Sequence, residues 1–322
     1  MSQLLEINDL HTEFRTGAGI VRAVDGVSYT VDAGETVAVV GESGSGKSVT
    51  ALSVLRLIPN PPGRIENGEI LFDGVDLLKL DEPGIRAVRG NKIAMIFQEP
   101  MSSLNPALTV GLQVAEPINV HQGTPWGKAY EAATELIGRV RIADAASRLN
   151  SYPHQYSGGM RQRVMIAMAL ACAPRLIVAD EPTTALDVTV QAQILDLLKE
   201  VTRETGSSLI LITHDLGVVA RYADRVAVMY GGRIVEVAPA RQLYARPQHP
   251  YTSGLMASVP RLDGGGGRRL MPIEGQPPDL ASLPPGCAFA PRCRSILDQC
   301  RTAKPELTHV ADHHAKACFA HV

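Results

Sequence analysis

"ETVAVVGESGSGKSVTALSVLRLI", Glu35 to Ile58, is the stretch that decides the fold. Its first six residues, Glu35–Val40, form a short apolar run rich in valine. Gly41-Glu42-Ser43-Gly44-Ser45-Gly46-Lys47-Ser48 follows without a break, and Ser48–Ile58 reads as a helix. Strand, glycine loop and helix in that order make a phosphate cradle. Glycines let backbone N–H groups turn toward phosphate oxygens, and the helix start adds partial positive charge. Lys47 would reach the outer phosphates of a nucleotide, and the Ser48 hydroxyl would hold Mg²⁺. The alternative is a glycine-rich turn with an incidental lysine, which leaves the flanking strand and helix unexplained.

Working outward, Leu176–Asp180 ("LIVAD") and Ser208–Thr213 ("SLILIT") are further near-continuous apolar runs. Such runs suit strands buried on both faces of a mostly parallel sheet. Between them "VQAQILDLLKEVTRE" spaces Ile194, Leu197, Leu198 and Val201 along one helical stripe. This alternation predicts an α/β, doubly wound core. From Val110 to Leu149 the strand pattern stops. "KAYEAATELIGRV" lines up Tyr130, Ala133, Ile137 and Val140, which predicts an inserted helical subdomain over about 105–165. After about Pro247 glycine and proline dominate, and the reading is an irregular C-terminal appendage rather than more sheet.

The 322 residues allow one large domain and a small one. Hydrophobic residues at 45% and charged residues at 20% are ordinary for a soluble globular chain. A net charge of -2 gives no basic field, so nucleic acid is not an expected partner. "MSQLLEINDL" lacks the basic start of a signal peptide. The longest apolar run, Val164–Ala173, falls short of the ~20 residues a membrane helix needs. Any membrane role is expected to come through a partner.

Two further motifs carry chemistry. Asp180 ends an apolar strand, where its carboxylate can enter a magnesium shell, and Glu181 could polarise an attacking water. A strand-ending Asp that merely caps a helix is the bland alternative for the first. "SYPHQYSGGMRQR", Ser151 to Arg163, opens a second helix on Ser157, Gly158 and Gly159. Small residues with free N–H groups at a helix start form an anion site, or else Ser157 is a plain N-cap. Two anion sites far apart in sequence suggest one composite site between facing chains.

Phosphate loop, "SGG" corner, "ADE" and a lone His after the next strand occur together over about residues 3–245, and in that combination the chain resembles the nucleotide-binding subunits of ATP-binding cassette (ABC) transporters. The resemblance implies a P-loop NTPase core with an antiparallel β subdomain beside the mostly parallel sheet, residues 1–245 being the nucleotide-binding domain. It implies that ATP contacts Gly41, Ser43, Gly44, Ser45, Gly46, Lys47, Ser48 and Val49, and that Ser48, Gln98 and Asp180 surround Mg²⁺. It also implies that Ser157, Gly158 and Gly159 cap the γ-phosphate held by the opposite subunit, and that Asp187 lies in a loop crossing the dimer interface. Glu181, His214 and Gln98 become the catalytic set. Phe14, with Val24 beside it, is the candidate to stack on adenine, the alternative being a strand-core phenylalanine. Tyr156 and Met160 stand where the family often has Leu and Gln, and neither side chain is needed for an anion site. Met160, Met165 and Met168 read as core filling rather than a soft-metal box.

"RPQHPYTSGLMASVP", Arg246 to Pro260, resembles the segment of oligopeptide and dipeptide importer ATPases, with His249, Pro250 and Tyr251 at its centre. The extension 246–322 holds Cys287, Cys293, Cys300 and Cys318 in a C-x5-C-x6-C-x17-C spacing. That spacing is a poor zinc-ribbon match, and four thiolates suit a four-iron cluster. Related peptide-importer ATPases carry [4Fe-4S] at matching cysteines; zinc and unligated thiols remain alternatives. Cys172, in the apolar helix, reads as a small buried side chain.

The resemblance implies an ATPase powering import of di- or oligopeptides from the cytoplasmic face of a bacterial inner membrane. Its implied partners are a homologous second ATPase in a heterodimer, two permease subunits and an extracytoplasmic binding protein. Import of glutathione or nickel is the nearest alternative. A soluble ABC ATPase of translation or DNA repair is a remoter one, since such chains carry two cassettes or long coiled coils.

Overall fold

The protein is described by a computed structural model over residues 3–17, 19–184, 186–258 and 272–320. In chain order its strands are β1 (Gln3–Thr16), β2 (Gly19–Asp32), β3 (Thr36–Val40), β4 (Gly63–Phe72), β5 (Val75–Asp76), β6 (Ile93–Ile96), β7 (Leu176–Asp180), β8 (Ser208–Thr213), β9 (Arg225–Tyr230), β10 (Arg233–Pro239), β11 (Thr308–Ala311) and β12 (His314–Lys316). Its helices are α1 (Lys47–Val54), α2 (Glu82–Val88), α3 (Pro100–Ser103), α4 (Val110–Gln122), α5 (Trp126–Arg139), α6 (Ala145–Arg148), α7 (Gly158–Leu170), α8 (Val188–Thr205), α9 (Leu216–Tyr222), α10 (Ala240–Ala245) and α11 (Pro250–Ala257). The chain divides into two compact units, one of 32–35 and 79–212, the other of 3–31, 36–78 and 213 onward. Among the described residues no helix is long and apolar enough to cross a membrane.

In the first unit β6, β7 and β8 pair in parallel, Ile93 opposite Leu176 and Leu176 opposite Ser208. All five residues of β7 are buried, as a parallel strand covered on both faces requires. The helix α8 starts where the Asp187 carboxylate accepts the Val190 N–H at 2.9 Å, and it ends at Gly206 with φ 67. Its buried stripe holds Ile194, Leu197, Leu198 and Val201 as the spacing predicts, with Leu195 added. The inserted helices α4 and α5 follow the expected pattern with one shift. Ala129, Ala133, Ile137 and Val140 are buried, while Tyr130 is only half-buried.

The second unit contains an antiparallel sheet in the order β2-β1-β4-β5, with Leu5 opposite Phe72 and Ile7 opposite Ile70. It also carries β3 paired in parallel with β9, then β10 antiparallel to β9. The α1 helix stops at Val54 rather than running to Ile58. Arg56 adopts φ 51, and the Leu57 and Arg56 N–H groups close back on Leu52 and Ser53 carbonyls, a left-handed cap that the residue types do not announce.

The expectation that the C-terminal appendage adds no sheet is corrected. β12 pairs antiparallel with β10, Glu236 opposite Lys316 and Val237 opposite Ala315, and β11 pairs with β12. Tyr251 and Phe289 enter the same core as Val40, Val226, Val228 and Tyr230. The glycine-rich stretch expected to be irregular lies partly in 259–271, outside the described residues. Glu236 makes the pairing possible: wholly buried, it accepts from the Gln248 and His249 N–H groups and pairs with His314 Nε2 at 2.8 Å. A buried carboxylate without such partners would be strongly destabilising.

Candidate active site

The phosphate loop leaves β3 at Val40 and enters α1 at Lys47. Glycine is required at two of its corners by close backbone approach. A Cβ on Gly41 would lie 2.2 Å from the Met229 carbonyl oxygen, and one on Gly46 would lie 2.3 Å from that of Ala23. Gly46 adopts φ 105 and gives α1 no side-chain cap, and the start of a helix carries the partial positive charge that favours an anion. Lys47 is buried, and its ammonium donates to the carbonyls of Gly41 at 2.8 Å and Glu42 at 3.0 Å. The Ser45 hydroxyl is buried without a hydrogen-bond partner among the described residues. An orphaned polar atom inside a loop of N–H groups is what a phosphate-binding loop would present. Ser43 and Gly44 are exposed, Ser48 and Val49 half-buried.

The acidic pair stands at the end of β7. Asp180 is buried, 6% exposed, and the Glu181 N–H donates to the Ile212 carbonyl at 3.0 Å. Glu181 takes φ 44, a left-handed conformation that costs a non-glycine residue about 1–3 kcal/mol. Two donors hold its carboxylate in that posture, Gln98 Nε2 at 3.2 Å and Thr184 Oγ1 at 2.9 Å. The structure thus brings Gln98 and Glu181 together. Thr184 was not singled out in the sequence; the only available signal was its place three residues on, where its N–H closes a turn on the Glu181 carbonyl.

The "SGG" corner opens α7 as its residue types predict. Ser157 is the N-cap, its hydroxyl accepting the Met160 N–H at 3.3 Å, and Ser157 and Gly158 are exposed. Gly159 has a second reason to be glycine. A Cβ there would sit 2.8 Å from Val190 Cγ1, so α7 and α8 pack through it. Asp187, expected in an interface loop, caps α8. Tyr156 is buried and donates its hydroxyl proton to the Arg148 carbonyl at 2.7 Å, which explains a bulky residue at this corner. Met165 is buried, whereas Met160 and Met168 are half-buried. Cys172 is buried and bonds the Pro117 carbonyl through Sγ.

His214 is exposed immediately after β8. Phe14 is half-buried opposite Gly63, where a Cβ would meet its ring at 2.7 Å, so the ring leans on its own sheet. Val24 is fully buried and lines a cleft with Arg15, Arg22 and Asp25 that Phe14 does not line.

Cys287, Cys293 and Cys318 are half-buried, Cys300 is buried, and all are free thiols. Among the described residues no three His, Cys, Asp or Glu side chains form a metal-ion site. The thiols nevertheless feel one another. Burial first, then neighbouring charge that includes Cys300 in each case, raises Cys287, Cys293 and Cys318 above the usual cysteine range.

Comparison with known proteins assigns the family. The ABC transporter pattern matches residues 24–184, and that of the oligopeptide/dipeptide transporter C-terminal region matches residues 235–300. A dipeptide transport ATP-binding protein of Bacillus subtilis is 51% identical over 319 residues, 99% of this chain and 95% of its own length. An oligopeptide transport ATP-binding protein of the same organism is 50% identical over 322 residues, 100% of this chain and 90% of its own. A solved dimeric ATP-binding cassette, in a post-hydrolysis state with ADP and phosphate, aligns at TM-score 0.66 and 29% identity over 74% of this chain and 99% of its own. The chain belongs to the ABC transporter family of ATP-binding subunits, ATPases whose hydrolysis is coupled to transport. Within it, this chain carries the C-terminal region of the oligopeptide/dipeptide transporters.

Proposed function

We propose that this chain hydrolyses ATP to energise import of di- and oligopeptides, with residues 1–245 as the nucleotide-binding domain and 246–322 as the importer extension. The observation that carries the catalytic part is Glu181, held in a strained posture by Gln98 and Thr184 directly after a buried Asp180. Lys47 and the N–H groups of the glycine loop bind the phosphates, and His214 contacts the γ-phosphate. Glu181 takes the proton of the attacking water, Gln98 and Thr184 fixing where that carboxylate stands. Ser48, Asp180 and Gln98 are the residues that would hold Mg²⁺, which neutralises charge developing on the transferred phosphoryl group. Ser157, Gly158 and Gly159 act on ATP held by a facing subunit, a role that the exposure of Ser157 and Gly158 permits.

The assembly we infer is a heterodimer with a homologous ATPase beneath two permease subunits, supplied by an extracytoplasmic binding protein. The chain would then be peripheral, at the cytoplasmic face of the bacterial inner membrane. Glu181→Gln tests the catalytic reading. An ATP-bound closed dimer should accumulate and phosphate release fall by about 10²–10⁴-fold; near-normal release would sink Glu181 as the water-activating group.

For the extension we propose a [4Fe-4S] cluster held by Cys287, Cys293, Cys300 and Cys318. What supports it is the resemblance to peptide-importer ATPases together with the charge that Cys300 exerts on Cys287, Cys293 and Cys318; among the described residues no three such side chains form a metal-ion site. A four-iron cube spreads its ligands wider than one zinc does, and its positive irons offset the unfavourable burial of thiolates. Protein purified without oxygen should contain about four irons per chain and absorb broadly in the visible. Zinc without iron would make the extension a zinc module, and the absence of both would leave free thiols.

A further inference from the structure

Glu42, inside the phosphate loop, is held at three points. Its carbonyl oxygen accepts the Lys47 ammonium at 3.0 Å. Its N–H donates to the Tyr251 hydroxyl at 2.8 Å. Its carboxylate takes both arms of the Arg292 guanidinium, at 2.6 and 3.0 Å. Two of those three partners, Tyr251 and Arg292, come from the extension, more than 200 residues away in sequence.

The clamp is built rather than incidental. The Arg292 side chain is 5% exposed and Glu42 is 25% exposed, so the pair is shielded from the screening that makes surface ion pairs weak. Arg292 donates its remaining protons to the carbonyls of Glu274 and Ile273 and to the Tyr230 hydroxyl, which satisfies the guanidinium in place. It also lies 5.9 Å from the Tyr230 ring centre, and Tyr230 in turn packs on Tyr251 and Phe289 at 4.5 and 5.2 Å. The turn that presents Arg292 is closed by the Ala290 N–H on the Cys287 carbonyl and the Cys293 N–H on the Ala290 carbonyl. The thiol-bearing segment therefore sets where the guanidinium enters.

We propose that Arg292 is a positioning residue for ATP binding: through Glu42 it holds the phosphate loop in the conformation that receives the nucleotide. The physical reason is preorganisation. A loop of small residues pays ordering entropy on binding unless something else has ordered it first, and here the extension does so. Because Lys47 is drawn to the Glu42 carbonyl, a displaced Glu42 also misplaces the ammonium that meets the phosphates. The effect should fall on ATP affinity more than on the chemical step, since Arg292 acts through Glu42, whose carbonyl holds the Lys47 ammonium that meets the phosphates.

The test uses the full chain and MgATP, read by direct binding and by steady-state ATPase kinetics. Arg292→Ala should weaken ATP binding about tenfold and raise KM accordingly, while kcat at saturating ATP changes by less than about threefold. Arg292→Lys should recover part of the loss, because a single ammonium replaces a two-armed fork. Glu42→Gln should weaken binding similarly. The double variant Glu42→Gln with Arg292→Ala should be no worse than the poorer single, the signature of one shared interaction. An unchanged affinity in a folded Arg292→Ala chain overturns the proposal, as does a double variant whose loss is the product of the two singles. If Arg292→Ala fails to fold, Arg292→Lys and Glu42→Gln decide the matter. Normal affinity in both would overturn the proposal, and weakened affinity in both at unchanged kcat would sustain it.

Discussion

The two helix starts proposed to receive an anion, α1 and α7, are built in opposite ways. At α1 the cap is a left-handed glycine with no side-chain acceptor, the following lysine is buried, and the loop before it is held from the extension. At α7 the cap is a serine whose own hydroxyl already accepts a first-turn N–H, and the corner is exposed. The first is ordered in advance, as the proposed phosphate receptor should be. The second satisfies itself at rest and has no side chain committed to a ligand, which is how a surface that meets its anion only on docking should look. A single chain should therefore bind nucleotide at α1, whereas α7 should matter only when two subunits meet.

The most severe way to break that contrast is at Ser157. Ser157→Arg fills the corner with a bulky cation but leaves α1 untouched. Turnover should drop by about 10²–10³-fold, the scale of losing a positioned donor in a reacting site, while ATP binding to the isolated chain stays unchanged. Binding lost in the monomer would show that the two helix starts serve one phosphate within the same chain. A milder change separates packing from anion binding at the same corner. Gly159→Ala keeps every N–H but drives a methyl into Val190, and overpacking of this kind costs about 1–3 kcal/mol of stability. A lowered Tm that Val190→Ala restores would make Gly159 a packing glycine. An unaltered Tm with lost turnover would assign it to the anion site instead.

The contrast also marks what could be read without coordinates. The run Thr36–Val40, the glycine loop, β7, β8 and α8 were legible because each is a continuous local signal, apolar in a period that only one element satisfies. The α7 cap was legible for the same reason. The end of α1 was not, since Arg56 in a left-handed cap looks like any helical arginine. Nor was the sheet extension: His314–Lys316 is polar in sequence, and its burial depends on Glu236, nearly 80 residues upstream. Glu42 was hidden most thoroughly. Within "GESGSGKS" it falls among the four residues whose type the motif leaves open, and only the fold brings Tyr251 and Arg292 onto it. The residues proposed as catalytic were visible as types, but the posture of Glu181 and its hold by Thr184 come from the turn.

A change of pH tests whether the α1 side alone leans on the extension. His249 is buried, and its Nδ1 accepts the Tyr251 N–H at 3.0 Å as the cap of α11, the helix that carries Tyr251 to Glu42. Acceptance requires a neutral ring. Burial, and then the charge of Lys316, pulls the His249 pKa down to about 4 from 6.5. Below pH 6.5 the unfolded chain takes up a proton that the folded chain refuses until near pH 4. Stability contributed by the neutral ring is thus complete above pH 6.5 and is lost as pH falls toward 4, by about 2–3 kcal/mol at the end of that window. Asparagine can cap α11 without titrating. In denaturant titrations at pH 7 and pH 4.5, His249→Asn should flatten the fall in stability relative to the unaltered chain. Its ATP affinity should also hold better at the lower pH, because Tyr251 stays on Glu42. Equal falls in both chains would place the acid sensitivity elsewhere and leave the cap of α11 a purely local matter.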